Sequence, residues 1–141
     1  MKLLVKCDPG MDPVQAHPGD AGMDLRAARD GRIGPGERML VPTGVRVAVG
    51  WGHEIQIRPR SGLALKHGVT ILNTPGTIDE GYRGEIKIIM INHHRFDTFY
   101  YYKGDRLAQM VINELPIVNV EYVDVLPESQ RGAQGFGSTG V

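Results

Sequence analysis

Nineteen glycines and nine prolines cut this chain into pieces too short for long helices, and that punctuation constrains the fold more than any other feature. Glycine ends regular structure through excess backbone freedom, and proline through a locked φ and a missing N–H. The pieces between them are rich in Val, Ile and Tyr, residues that suit a pleated, half-buried surface. An all-β sandwich or barrel is therefore expected. Strands are predicted near residues 3–6, 39–41, 45–49, 54–58, 70–72, 85–92, 98–101, 107–113 and 118–125. The run Glu54-Ile55-Gln56-Ile57-Arg58 alternates as a strand with one buried face should. Ile86, Ile88 and Met90 face one way while Ile89 and Ile91 face the other. That strand is expected to lose both faces, the second against another subunit. One short helix is predicted after Arg60, with Ser61 as its N-cap and Gly68 closing its end.

A chain of 141 residues and 15.5 kDa suits one domain with a real core. Sixteen basic and sixteen acidic residues cancel, which leaves no electrostatic footprint for duplex nucleic acid or an anionic membrane. The single cysteine, Cys7, excludes an internal disulfide and a cysteine-based zinc cluster, and points to a reducing compartment such as the cytoplasm. Lys2 and Lys6 flank only three apolar residues, too few for a signal-peptide core, and no apolar run reaches the length of a membrane span.

Polar clusters punctuate the predicted strands where a sheet scaffold would hold reactive groups. Asp24 lies in Ala21-Gly22-Met23-Asp24-Leu25, either as a turn aspartate or as a ligand-facing carboxylate. Arg58-Pro59-Arg60-Ser61-Gly62 brings a guanidinium to a helix start, where unpaired N–H groups favour an anion; the other reading is a capped surface helix. The segment from Asn73 to Glu85 is expected to form a hairpin with Asp79 and Tyr82 near its tip, whose backbone donors and acceptors could read the edge of a base. In Gly104-Asp105-Arg106-Leu107-Ala108-Gln109, Asp105 could brace an arginine and Gln109 could face a phosphate. The end of the chain, Arg131-Gly-Ala-Gln-Gly-Phe-Gly-Ser-Thr-Gly140, has almost nothing to bury and much entropy to lose. It reads either as a frayed terminus or as a tail that orders over a nucleotide. For the second reading, Arg131, Ser138, Thr139 and the glycine N–H groups would be donors to a polyphosphate, and Phe136 a flat face for a base.

These four clusters and the glycine-rich end resemble, in order, the five motifs of the trimeric dUTP diphosphatase (dUTPase) family, from Ala21 to Gly140. Gln134 stands where that family usually has glycine, and Glu80-Gly81 replaces a common Ala-Asp pair. The resemblance implies a jelly-roll-like β domain over residues 1–126 with one short helix, and a flexible tail over 127–141. It implies a homotrimer with shared active sites that hydrolyses dUTP to dUMP and pyrophosphate, thereby keeping uracil out of DNA and supplying dUMP. By the same resemblance, Asp79 orients the attacking water and Tyr82 packs on deoxyribose. Asn73, Gly76, Thr77, Ile78 and Lys87 line the nucleoside. Arg60, Ser61, Gly62 and Gln109 hold the phosphates, while Arg131, Gly137, Ser138 and Thr139 close over them with Phe136 on uracil. Mg2+ is the implied cofactor, anchored by Asp24 through a water.

Two alternatives accompany this reading. A dCTP deaminase-related enzyme would share the fold and phosphate motifs, but the glycine-rich closing tail argues against it. A nucleotide-gated regulatory binding protein would keep affinity without needing turnover, against which the intact Asp79 argues. His17, His53, His67, His93 and His94 lack metal-ligand spacing, and Tyr100-Tyr101-Tyr102 reads as strand and interface packing.

Overall fold

The computed structural model describes residues 1–136. Eleven strands and one helix follow one another: β1 (Leu4–Cys7), β2 (Met23–Arg26), β3 (Gly31–Ile33), β4 (Arg38–Pro42), β5 (Val45–Ala48), β6 (His53–Pro59), α1 (Ser61–His67), β7 (Val69–Ile71), β8 (Gly76–Ile78), β9 (Lys87–Asn92), β10 (Phe99–Tyr101) and β11 (Arg106–Glu114). Every ladder is antiparallel. The largest sheet runs β2-β11-β6-β8; a second runs β4-β9-β7, and β1-β5 and β10-β3 form two-stranded ribbons. This is the expected all-β, jelly-roll-like architecture. No helix among the described residues is long and apolar enough to cross a membrane.

Period-two patterning decides which side chains make the core. In β6, Ile55 and Ile57 are buried while Glu54, Gln56 and Arg58 lie on the other face. In β9, Ile88, Met90 and Asn92 point inward and Ile89 and Ile91 are half-buried. Ile55, Ile57, Ile88 and Met90 join Leu25, Ile33, Val41, Val45, Ile86, Leu107 and Met110 in one continuous cluster.

Three expectations are corrected. Ser61 is the first helical residue and not the cap: Arg60 occupies that position in extended conformation and no side chain caps the helix, whereas Gly68 closes it with φ 64° as expected. The 73–85 hairpin does not form. Its two arms part into different sheets: β8 pairs with β6, whereas β9 lies between β4 and β7. Each strand thereby finds a longer partner than it would in a local hairpin. Residues 118–125 are not a strand, because a ladder needs a partner and the described chain offers none there. Tyr122 in this segment is 94% exposed, and Ile117 just before it 87%. The short strands β2 and β3, of four and three residues, escaped the sequence reading because neither carries a run of β-branched or aromatic residues.

Asn92 fastens the end of β9. Its fully buried amide donates to Ile33 O at 2.9 Å and Asp97 O at 2.8 Å, and its Oδ1 accepts from the His94 N–H at 2.8 Å. Asn92→Ala strands these partners, each at a cost of about 1–3 kcal/mol when desolvated. The expected loss is about 2–4 kcal/mol of stability, read as a lower midpoint in urea unfolding; an unchanged midpoint contradicts this role.

Candidate active site

Two clefts carry the polar residues that the sequence singles out. The first, about 630 Å3, is lined by Asp24, Arg60, Ser61, Gly62, Arg106 and Gln109, with Asp20, Lys66 and His67 at its margins. Strand β11 organises it. Gln109 lies opposite Asp24 of β2 on one side and opposite Arg58 of β6 on the other. Its amide donates to Pro59 O at 3.1 Å. A side chain at position 22 would place Cβ 2.3 Å from Gln109 Oε1, so only glycine there leaves Gln109 in place.

The carboxylate of Asp24 bridges two guanidinium groups. Arg60 Nε lies 3.3 Å from Oδ1, and Arg106 Nη1 lies 3.3 Å from Oδ2. Arg60 Nη1 also donates to Arg106 O at 3.0 Å. Asp105 does not brace an arginine, contrary to expectation. Its Oδ2 accepts from the Tyr102 N–H at 2.8 Å, which closes the turn before β11, and Asp24 takes the bracing role. Arg106 itself was missed. Three positions from Gln109, it should face the opposite side of a regular strand; a bulge between Arg106 and Ala108 adds one residue and returns it to the face of Gln109. Its signal in the sequence was only proximity to Gln109.

The second cleft, about 590 Å3, is lined by Thr77, Ile78, Asp79, Tyr82, Glu85 and Lys87, with Leu40, Arg46 and Gly84. Asp79 O accepts from the Tyr82 N–H at 3.0 Å, forming the turn that follows β8. The Tyr82 hydroxyl donates to Glu85 O at 3.0 Å, which fixes the ring. Gly84 is required here, since a Cβ would stand 2.4 Å from that hydroxyl. Among the described residues, no hydrogen bond or ion pair engages the exposed carboxylate of Asp79. Asn73 sits in the turn before β8, and Gly76 packs on Ile57 with Asn73 Nδ2 beside it. Strand β8 is the outer strand of its sheet, so one edge of Gly76–Ile78 keeps its backbone donors and acceptors free.

The two clefts lie toward opposite ends of β6. Ile78 pairs with Ile55; Asp79 continues away from the helix, whereas Arg60 lies five residues past Ile55 in the other direction. At about 3.3 Å per residue, the separation is roughly 16–20 Å. Arg131 and Phe136 reach neither cleft. Arg131 Nε donates to Gln134 O at 2.8 Å within a local turn, and Phe136 is fully exposed. Gly137, Ser138 and Thr139 lie outside the described residues.

Comparison with known proteins places these features. The family model described as dUTPase matches residues 8–140. A deoxyuridine 5'-triphosphate nucleotidohydrolase of Clostridium tetani is 58% identical over 91% of this chain and 88% of its own length. One from Clostridium novyi is 54% identical over the whole of both chains. Among solved structures, the dUTPase of Staphylococcus bacteriophage 80alpha with dUpNHpp superposes with a TM-score of 0.90 at 28% identity, covering 99% of each chain. A match of this extent, in sequence and in fold together, means that the chain belongs to the dUTPase family.

Proposed function

We propose that this chain hydrolyses dUTP to dUMP and pyrophosphate in composite sites built between three copies of itself. The observation that carries the reading is the distance between the two clefts. Roughly 16–20 Å along β6 exceeds a triphosphate, so Asp79 and Arg60 of one chain cannot serve the same nucleotide. Juxtaposing the Asp79 cleft of one copy with the Arg60 cleft of another makes a complete site. The half-buried Ile89 and Ile91 and the exposed apolar segment around Ile117 and Tyr122 supply surface for that assembly.

Within such a site, the free edge of Gly76–Ile78 and the amide of Asn73 face the polar edge of uracil. Cytosine would present a donor where an acceptor is needed, and unpaired buried groups discriminate strongly. Tyr82, fixed by Glu85, packs against deoxyribose and leaves no room for a 2′-hydroxyl. Lys87 borders the same cleft. Asp79 accepts a proton from water as its oxygen bonds to the α-phosphorus; the bond to the α,β-bridging oxygen breaks and pyrophosphate leaves. Arg60, Ser61, Gly62 and Gln109 hold the phosphate chain. Residues 127–141 act as a closing tail, with Arg131, Gly137, Ser138 and Thr139 at the phosphates and Phe136 over uracil.

The donors also suit Mg2+ carried in with the substrate. Among the described residues no group of three or more His, Cys, Asp or Glu forms a metal cage, while Asp24 offers a single carboxylate beside the phosphate donors. Mg2+ binds through one or two carboxylates together with phosphate oxygens and waters, and when bound it offsets charge on the phosphates. Asp24 would hold it through a water.

Four tests bear on this reading. A coupled pyrophosphate assay should record turnover of dUTP and far slower turnover of UTP, dTTP and dCTP; equal kcat/KM for dUTP and UTP removes the role given to Tyr82. Asp79→Asn should lower kcat by roughly 10²- to 10⁴-fold, the span of a general base, with dUTP binding retained. A near-normal kcat takes Asp79 out of the chemistry. Light scattering should give three times the 15.5 kDa of one chain. Co-expressed Asp79→Asn and Arg60→Ala chains, each inactive alone, should recover activity in mixed trimers. Mixed trimers as inactive as their parents contradict the composite site.

A further inference from the structure

The first cleft contains a conflict of partners. Arg60 and Arg106, the cations best placed to hold a phosphate, both point at the carboxylate of Asp24, the group best placed to hold a hydrated cation. Neither task can be performed while the other's partner is engaged. Arg60 is doubly occupied, since its second nitrogen donates to Arg106 O. The ion pairs are nevertheless built to part. At 3.3 Å each they exceed the roughly 2.7–2.9 Å of a tight charge-assisted bond. Both guanidinium groups remain partly in water, at 31% and 45% side-chain exposure, while Asp24 is more enclosed at 16%. Exposed pairs of this kind contribute little to folding, so exchanging them leaves the scaffold intact.

Resting on the dUTP reading above, we propose that Asp24 is the counter-ion that Arg60 and Arg106 must leave before they can hold phosphate, and that it leaves them only for a cation. The cleft thereby selects the metal complex of the triphosphate over the metal-free anion. Without a cation, a triphosphate meets arginines already paired and an unneutralised carboxylate between them. With one, Asp24 turns to the hydrated ion, and the two guanidinium forks are released to the phosphate oxygens. Arg106, reached only through the bulge in β11, becomes a positioning residue for the phosphate chain. Linkage requires the effect to be reciprocal: the triphosphate raises cation affinity by the factor by which the cation raises triphosphate affinity.

The test measures binding, by calorimetry, of the non-hydrolysable analogue dUpNHpp in Mg2+ and in EDTA. Wild type should bind far more tightly in Mg2+, within the ordinary coupling range of about 5- to 150-fold. Asp24→Asn should bind the analogue about tenfold more tightly than wild type in EDTA, with the advantage of Mg2+ reduced toward unity. Asp20→Asn removes the same charge from the same cleft without touching either arginine, and should change metal-free binding much less. Arg106→Gln gives an independent reading: its loss should weaken binding in Mg2+ and hardly alter it in EDTA. Metal-free affinity that is unchanged or lower in Asp24→Asn, a gain matched by Asp20→Asn, or equal losses for Arg106→Gln in both buffers overturns the ion-pair exchange while leaving the dUTP reading intact. Wild type that fails to bind dUpNHpp even in Mg2+ overturns the dUTP reading, and the exchange with it.

Discussion

The pairing of β11 with β6 is the constraint on which the rest of this molecule depends. It runs in register from Ala108 opposite Pro59 to Glu114 opposite His53, and β11 also holds β2 on its other side. One face of this ladder sends Ile55, Ile57, Met110 and Ala108 into the core. The opposite face carries Glu54, Gln56, Arg58 and Gln109. Because successive side chains alternate, a slip of one residue would exchange these two sets and expose the core. The same register that buries the isoleucines therefore aligns Gln109 with Asp24 and fixes where the chain leaves β6 to begin α1.

The site uses this rigidity and departs from it at chosen points. The bulge in β11 breaks the alternation once, and through that break Arg106 joins Gln109 on the cleft face. Gly22 and Gly84 keep space that any side chain would take, one beside Gln109 and one beside the Tyr82 hydroxyl. Tyr82 is held by backbone hydrogen bonds at both its N–H and its hydroxyl, whereas the carboxylate of Asp79 projects from the same turn without a partner among the described residues. A fixed ring beside an unengaged carboxylate agrees with the roles proposed for Tyr82 in sorting substrates and for Asp79 in accepting a proton.

The described chain leaves apolar surface unburied. Beyond Glu114 the ladders end, and the next stretch carries Ile117, Val118, Val120, Tyr122 and Val125 on the surface. Scattered apolar residues are ordinary on a protein exterior, but a contiguous run marks an interaction surface. Together with two clefts toward opposite ends of β6, it agrees with the composite site proposed above.

Much was legible in the residues. Glycine and proline spacing with β-branched pieces identified the all-β class, the alternation at Glu54–Arg58 identified the inward face of β6, and Gly68 marked the helix end. Asp24, Arg60, Asp79, Tyr82 and Gln109 stood out as polar groups in turns and at strand ends, because side-chain chemistry and short motifs are local properties. What stayed hidden depends on partners distant in sequence. The parting of β8 from β9 reflects competition between a local hairpin and longer ladders elsewhere. The irregular course of 118–125 reflects a missing neighbour, which no propensity records. Arg106 entered the cleft only through a bulge, and Asp24 met its two arginines only when three segments converged. Sequence by itself determined which residues could be strands and which could do chemistry, since both follow from side-chain shape, charge and near-neighbour pattern. Tertiary structure alone decided the pairing, the bulge and the separation of the two clefts, because these arise from register and packing between segments far apart along the chain.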